Sequence, residues 1–120
     1  VEMWNRKIEI EGMNPTGECL RNSSENFKDR AVADPRATKQ IPDLAERGKM
    51  LTNRFLGDIN DILSKSKYVT GDKFTMADIN LYVLLDFASW IKVLPSKEHT
   101  NLIKWNDMVS TRESAKVFEI

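Results

Sequence analysis

The segment from Thr75 to about Val93 constrains the fold of this chain more than any other stretch. Its apolar side chains fall on nearly every face of a helix: Leu81, Tyr82, Val83, Leu84, Leu85, Phe87, Ala88, Trp90 and Ile91. A helix that is apolar all round belongs inside a core, so other helices are expected to surround this one. Pro95 follows the segment and is expected to end the helix.

The stretch before this central helix predicts two more helical segments. From Val1 to about Asn22, apolar residues recur at helical spacing while charged residues fill the other face. Pro15 and Gly17 interrupt that pattern, which predicts one long bent helix or two short ones. Turn-forming residues predict a loop over 23–40. A long helix is then expected to start near Pro42, because proline favours the first helical position.

Smaller features complete the expected architecture. Gly48 lies on the apolar stripe of the second long helix and is expected to permit close contact with a neighbouring helix, whereas Gly57 is only a weak point. The connector 68–74 is expected to turn at Gly71-Asp72, and residues 102–109 predict another amphipathic helix, with a short tail helix from Thr111. The sequence therefore predicts an all-α helical bundle of four or five helices, with one buried central helix and a single domain over residues 1–120.

Charge and cysteine content narrow the classes of function. Lys plus Arg equals Asp plus Glu at 18 each, so no excess of positive charge indicates nucleic acid or an anionic membrane as a partner. Cys19 is the single cysteine and cannot form an intrachain disulfide, which favours a reducing compartment. No apolar stretch approaches the roughly 20 residues of a spanning helix. A cytoplasmic protein with no membrane partner is expected.

The start of the central helix carries the most specific local signal. Thr75-Met76-Ala77-Asp78 has the form of an N-capping box, in which the Thr75 hydroxyl accepts from the N–H of Asp78 and the Asp78 carboxylate accepts from the N–H of Thr75. Phe74 and Ile79 take the two positions of a hydrophobic staple. The box and staple predict where the buried helix begins.

These residues resemble a known family. The stretch from Tyr68 to Ile79 resembles the one that opens the buried sixth helix of glutathione S-transferases. Residues 1–9 resemble the fourth helix of bacterial and theta-like members, and Trp105 fits the family's later helix. The resemblance extends over nearly all of residues 1–114, in the family's order and spacing. It identifies the chain as the helical C-terminal half of such a protein.

The resemblance implies a division of labour between two domains. A preceding thioredoxin-like domain binds glutathione and supplies the Ser, Tyr or Cys that stabilises or replaces its thiolate. The helical half lines the pocket for a hydrophobic electrophile and contributes to a homodimer. On this reading the chain itself has no catalytic residue and binds no cofactor, and glutathione is the co-substrate of a detoxifying transferase or peroxide reductase. The alternative is a non-catalytic protein-interaction module of the same fold.

Candidate binding residues follow from the same resemblance. It places Trp4, Asn5 and Ile8 at the border of the substrate pocket, and Trp90 is a further candidate near the end of the buried helix. Packing in the core or at an interface is the competing explanation for all four.

Other polar or reactive residues receive structural interpretations. Asp86, inside the apolar helix, is expected to be a buried carboxylate bonded to loop backbone or to the Trp90 indole. His99 is expected to be solvated or to cap a helix, and Cys19 to be a passive thiol. No metal site is expected, because no cluster of ligands accompanies the single histidine.

Overall fold

The structure, a computed structural model, describes residues 2–32 and 36–112. Its main elements are five helices: α1 (Glu2–Ile8), α2 (Asn14–Ser23), α3 (Pro42–Leu63), α4 (Met76–Ser89) and α5 (Thr100–Ser110). Within the described ranges, strand-type pairing is limited to two isolated bridges. The predicted all-α bundle is therefore confirmed. The expected tail helix after Thr111 lies outside the described residues.

A π turn joins α1 and α2 into one continuous helical run. It covers Glu9–Met13, and the N–H of Asn14 donates to the carbonyl of Glu9, five residues earlier. Pro15 follows at the start of α2. In a regular α-helix its ring would clash with the carbonyl four residues before it. Because a π turn widens the helix locally, the run accommodates the proline and continues to Ser23.

Close contact between α2 and α3 depends on a glycine. A Cβ atom at Gly48 would overlap the carbonyl oxygen of Pro15 and lie 2.9 Å from the backbone nitrogen of Cys19. The predicted role of Gly48 is thus confirmed. Beside it, the hydroxyls of Thr16 and Thr52 are buried 3.1 Å apart. Each also donates to the carbonyl four residues before it, at 2.8 Å, so this polar pair is satisfied inside the crossing.

Helix α4 is the central helix, although one of its faces is uncovered. Its buried side is formed by Ala77, Asp78, Leu81, Leu84, Leu85 and Ala88. The opposite side presents Met76 and Trp90, which are 55% and 63% exposed. Ile79, Val83 and Phe87 lie between them and are half-buried. The sequence predicted burial on nearly all sides, and the structure corrects this: the described helices leave an apolar stripe facing outward.

The C-terminal end of α4 comes earlier than expected. The helix ends at Ser89, before Val93 and well before Pro95. Lys92 adopts a left-handed conformation with φ of 62°. Its N–H donates to the carbonyl of Ser89, and the N–H of Val93 donates to the carbonyl of Ala88. This pair of bonds is a Schellman motif, which stops the helix without the proline.

The connector before α4 turns slightly earlier than predicted. Tyr68 and Gly71 exchange two backbone hydrogen bonds, of 2.8 and 3.2 Å. The tight turn is therefore at Val69-Thr70, not at Gly71-Asp72. Gly71 closes the turn with φ of 137°, a backbone conformation that side chains disfavour. This turn brings Val69 to the start of α4.

Candidate functional site

Asp78 is the best-connected polar side chain of the described region. It is fully buried, and the predicted capping box is present with both of its arms. One carboxylate oxygen accepts from the N–H of Thr75 at 2.9 Å. The other accepts from the N–H of Val69 at 3.0 Å and from the indole N–H of Trp105 at 2.9 Å. One carboxylate thus joins α4, the preceding turn and α5, and is well satisfied.

The sequence predicted only the local part of this arrangement. A capping box is visible within four residues, whereas Val69 and Trp105 reach Asp78 through the fold. Phe74 and Ile79, the predicted staple, flank the box and are both half-buried. Phe74 also packs edge-on to Tyr68, with ring centroids 5.8 Å apart, and beneath the Arg112 guanidinium. This cluster fixes the start of α4 and so positions the side chains that follow.

Trp4 and Asn5 lie together beside the first turns of α4. The side chain of Asn80 donates to the side-chain oxygen of Asn5 at 2.8 Å. Trp4 is half-buried against the core, and the ammonium of Lys7 lies 5.2 Å from its ring centroid. Further along, an added Cβ at Gly12 would lie 2.5 Å from Leu84. The first helical run and α4 therefore lie side by side and point the same way.

Ile8 and Trp90 do not join this pair at the surface. Ile8 has 0% exposure and is a core residue. Trp90 follows Asn80 by ten residues, or about 15 Å along a helix. The structure therefore places the four predicted binding residues at three locations: Trp4 with Asn5 at the surface, Ile8 in the core, and Trp90 at the far end of α4.

Three other predictions of residue roles have different outcomes. Asp86 is exposed rather than buried, because it lies on the outer side of α4, and the buried carboxylate of this helix is Asp78. His99 occupies the N-cap position of α5, but its side chain makes no capping bond; its ring accepts from the N–H of Ser96 at 3.1 Å. Cys19 is buried and forms no disulfide.

Two cavities open away from Trp4 and Asn5. One of about 540 Å³ lies between the end of α3 and α5, and its rim carries Lys65, Lys67 and Lys104. Another of about 300 Å³ lies beside Trp90. Among the described residues, no group of three His, Cys, Asp or Glu side chains is placed to hold a metal ion. No helix in the described ranges is both long and apolar enough to cross a bilayer.

The amino-acid sequence matches a known protein-family model. The profile of the glutathione S-transferase C-terminal domain matches residues 18–113. The chain therefore belongs to the family of glutathione S-transferase C-terminal domains. No curated protein sequence matches it significantly.

Solved structures agree with this assignment. A glutathione S-transferase domain-containing protein of Marinobacter aquaeolei VT8 aligns with a TM-score of 0.81 and 28% identity over 95% of this chain. Gtt2 of Saccharomyces cerevisiae aligns with a TM-score of 0.84 and 23% identity over 96% of the chain. A class Gtt2 glutathione S-transferase of Vibrio parahaemolyticus gives 0.75 and 24% over 96%. The chain spans about half the length of each, covering 53%, 53% and 48% respectively.

Proposed function

We propose that this chain is the substrate-pocket and dimerisation half of a glutathione transferase, paired with a thioredoxin-like half that binds glutathione. The uncovered apolar stripe of α4 carries the proposal. Met76, Ile79, Val83 and Phe87 form this stripe, which a preceding domain would cover. Family membership and the half-length match to related structures support the same division.

The substrate surface is assigned to Trp4 and Asn5, next to that stripe. Small-molecule pockets combine apolar walls with a few placed polar groups. The indole of Trp4 supplies a flat apolar wall, and the Asn5–Asn80 amide pair supplies a fixed polar edge. A hydrophobic electrophile fits this combination. The reacting thiolate comes from glutathione in the other half, where the residue that stabilises or replaces it also resides.

Steady-state kinetics of the protein that carries both halves test the assignment. Conjugation of glutathione to an aryl halide, and glutathione-dependent reduction of a hydroperoxide, are measured with each substrate varied in turn. Trp4→Ala is expected to raise the KM for the electrophile while the KM for glutathione stays unchanged. Ile103→Ala, an exposed residue of α5, is the control and is expected to change neither constant.

Two results would contradict the proposal in different ways. An electrophile KM that is unaffected in both Trp4→Ala and Asn5→Ala removes the assigned substrate surface. A two-domain protein with neither activity favours the alternative, a non-catalytic interaction module of the same fold. Analytical ultracentrifugation of the same protein tests the homodimer.

A further inference from the structure

The cavity between the end of α3 and α5 has an apolar floor and a polar rim. Its volume is about 540 Å³, inside the range of small-molecule sites. Among its lining residues, Leu63 and Trp105 are buried and Met108 is half-buried. The rim includes Lys65, Lys67, Asp72, Asn101 and Lys104. An apolar floor below a polar rim suits a ligand that has an apolar body and a charged end.

The rim of this cavity carries an excess of positive charge. Lys65, Lys67 and Lys104 contribute three ammonium groups, and Asp72 contributes one carboxylate. All four residues are exposed, and within the described ranges none of them takes part in an ion pair. Three positive charges against one negative charge leave an excess of two, which is complementary to a doubly charged anion.

The position of the lysines at a helix end explains only part of this charge. Lys65 and Lys67 follow the C-terminal end of α3, where cations stabilise the partial negative charge of a helix. The Lys67 ammonium also lies 5.4 Å from the ring centroid of Tyr68. Lys104 lies inside α5, where neither explanation applies. Because the packing of α5 on α3 brings Lys104 to the same rim, the positive charge belongs to the cavity and not to one helix end alone.

Hydrogen bonds fix the walls of the cavity relative to one another. The Asn60 side chain of α3 accepts from two N–H groups in the first turn of α5, both at 2.9 Å. Asp78 accepts from the N–H of Val69 in the connector and from the indole N–H of Trp105 on α5. The end of α3, the connector and α5 are therefore held together without a ligand. A preformed site loses little conformational entropy when a ligand binds.

We propose that this cavity binds a small aromatic phosphate monoester, with its ring against the apolar floor and its phosphate among Lys65, Lys67 and Lys104. A phosphate monoester carries a charge of about −1.5 to −2 at pH 7, which matches the excess on the rim better than a single carboxylate does. Lysine binds phosphate as a point charge. The cavity opens away from Trp4 and Asn5, so its assignment does not depend on the transferase proposal.

Calorimetric titration of the 120-residue chain with 1-naphthyl phosphate tests the site. Saturable binding of one molecule per chain is expected at pH 7. The comparison ligand is 1-naphthyl sulfate, which has the same ring but only one negative charge, and it is expected to bind more weakly. The ratio of the two affinities is expected to shrink from pH 7 to pH 5, because the second ionisation of a phosphate monoester has a pKa of about 6. The ratio removes any effect of protonating the protein itself.

A pair of double variants tests the role of the rim. Lys65→Gln with Lys104→Gln is expected to weaken binding of 1-naphthyl phosphate about ten-fold. Lys49→Gln with Lys97→Gln removes the same charge from exposed lysines that do not line the cavity. This control is expected to leave the affinity unchanged. Equal weakening in the two double variants overturns the proposal, because the attraction is then one of overall charge.

Nuclear magnetic resonance of the indole N–H groups locates the bound ligand. The chain has three tryptophans, and Trp105 is the one that lines this cavity. Trp4→Phe and Trp90→Phe assign the other two resonances. Titration with 1-naphthyl phosphate is expected to shift the Trp105 resonance and to leave those of Trp4 and Trp90 in place. A shift of either of these without one of Trp105, the absence of saturable binding, or a sulfate that binds as tightly as the phosphate at pH 7 overturns the proposal.

Discussion

At the scale of single residues, Asp78 connects parts of the chain that are distant in sequence. Its carboxylate accepts from Val69 in the turn, Thr75 at the cap and Trp105 on α5. All of these bonds are inside or at the edge of the core, where a donor without an acceptor is costly. The side chain is therefore more than a cap of one helix.

Asp78→Ala is expected to lower the free energy of unfolding by about 3 kcal/mol or more, because it leaves the Trp105 indole and two backbone donors without their acceptor. Thr75→Ala removes only the local cap and is expected to lower it by about 1 kcal/mol. Urea titration followed by circular dichroism measures both. Equal losses in the two variants would show that the bonds to Val69 and Trp105 contribute little.

Two glycines of α3 give a matched pair of variants. Gly48→Ala places a methyl group against the Pro15 carbonyl and is expected to destabilise the chain by about 2 kcal/mol, as overpacking does. Gly57→Ala meets only the His99 ring, at 4.0 Å. It is expected to stabilise the chain by up to about 1 kcal/mol through helix propensity. Thermal melting compares them, and a gain in stability for Gly48→Ala would contradict the proposed close contact.

At the scale of elements, helix boundaries were predictable where the signal is local. Pro42 and the Thr75–Asp78 box mark the starts of α3 and α4 within a few residues. The start of α5 has no such mark, because its cap comes from α3: the Asn60 side chain accepts from the N–H groups of Asn101 and Leu102, both at 2.9 Å. Sequence alone does not show a cap supplied from 41 residues away.

Asn60→Ala is expected to lower the free energy of unfolding by about 1 kcal/mol, because two N–H groups at the start of α5 lose their acceptor. Asn60→Asp keeps an acceptor oxygen and adds a negative charge near a helix N-terminus, so it is expected to retain most of the stability. Chemical denaturation measures the difference. Identical losses of unfolding free energy in the two variants would show that the acceptor oxygen of residue 60 does not stabilise the start of α5.

At the end of α4, a substitution is expected to stabilise the chain. Lys92→Gly relieves the left-handed strain and is expected to raise the free energy of unfolding by about 1 kcal/mol. Lys97→Gly changes an exposed lysine in the following loop and serves as the control, without a gain. A melting temperature that falls in Lys92→Gly would contradict the Schellman assignment.

At the scale of the whole molecule, the prediction of the bundle was better than that of the candidate site. The fold follows from the helical spacing of many apolar residues, so a few exceptions do not change the prediction. The candidate site depends on which helix ends contact each other, and residue spacing in the sequence does not predict these contacts. Trp4 and Trp90 are both predicted to border the substrate pocket, although Trp90 follows the last residue of α4, whereas Asn5, next to Trp4, bonds to Asn80 near its start.

The proposed cover over the apolar stripe of α4 can be tested in a protein that carries both proposed domains. Val83→Lys is expected to lower the stability of the isolated chain by no more than about 1 kcal/mol, because the half-buried side chain lies on the face of α4 that the described helices leave open. In the two-domain protein it is expected to destabilise strongly, since the charge would be buried between domains. Val109→Lys, which changes a buried residue of α5, is the control and should destabilise both forms. Equal stability of the two-domain protein with and without Val83→Lys would mean that this stripe is not covered.

The π turn at Glu9–Met13 sets the rotational phase of the first helical run. Asn5 and Gly17 both approach α4, at Asn80 and Phe87, yet the residues between them amount to about 3.3 turns of a straight α-helix. The π turn contains one residue more than an α-helical turn. Without that residue, the separation of Asn5 and Gly17 is about 3.1 turns, so both residues face α4. A relative that lacks the wide turn should align with a one-residue gap between positions 9 and 13, and its helical wheel should be counted without the extra residue.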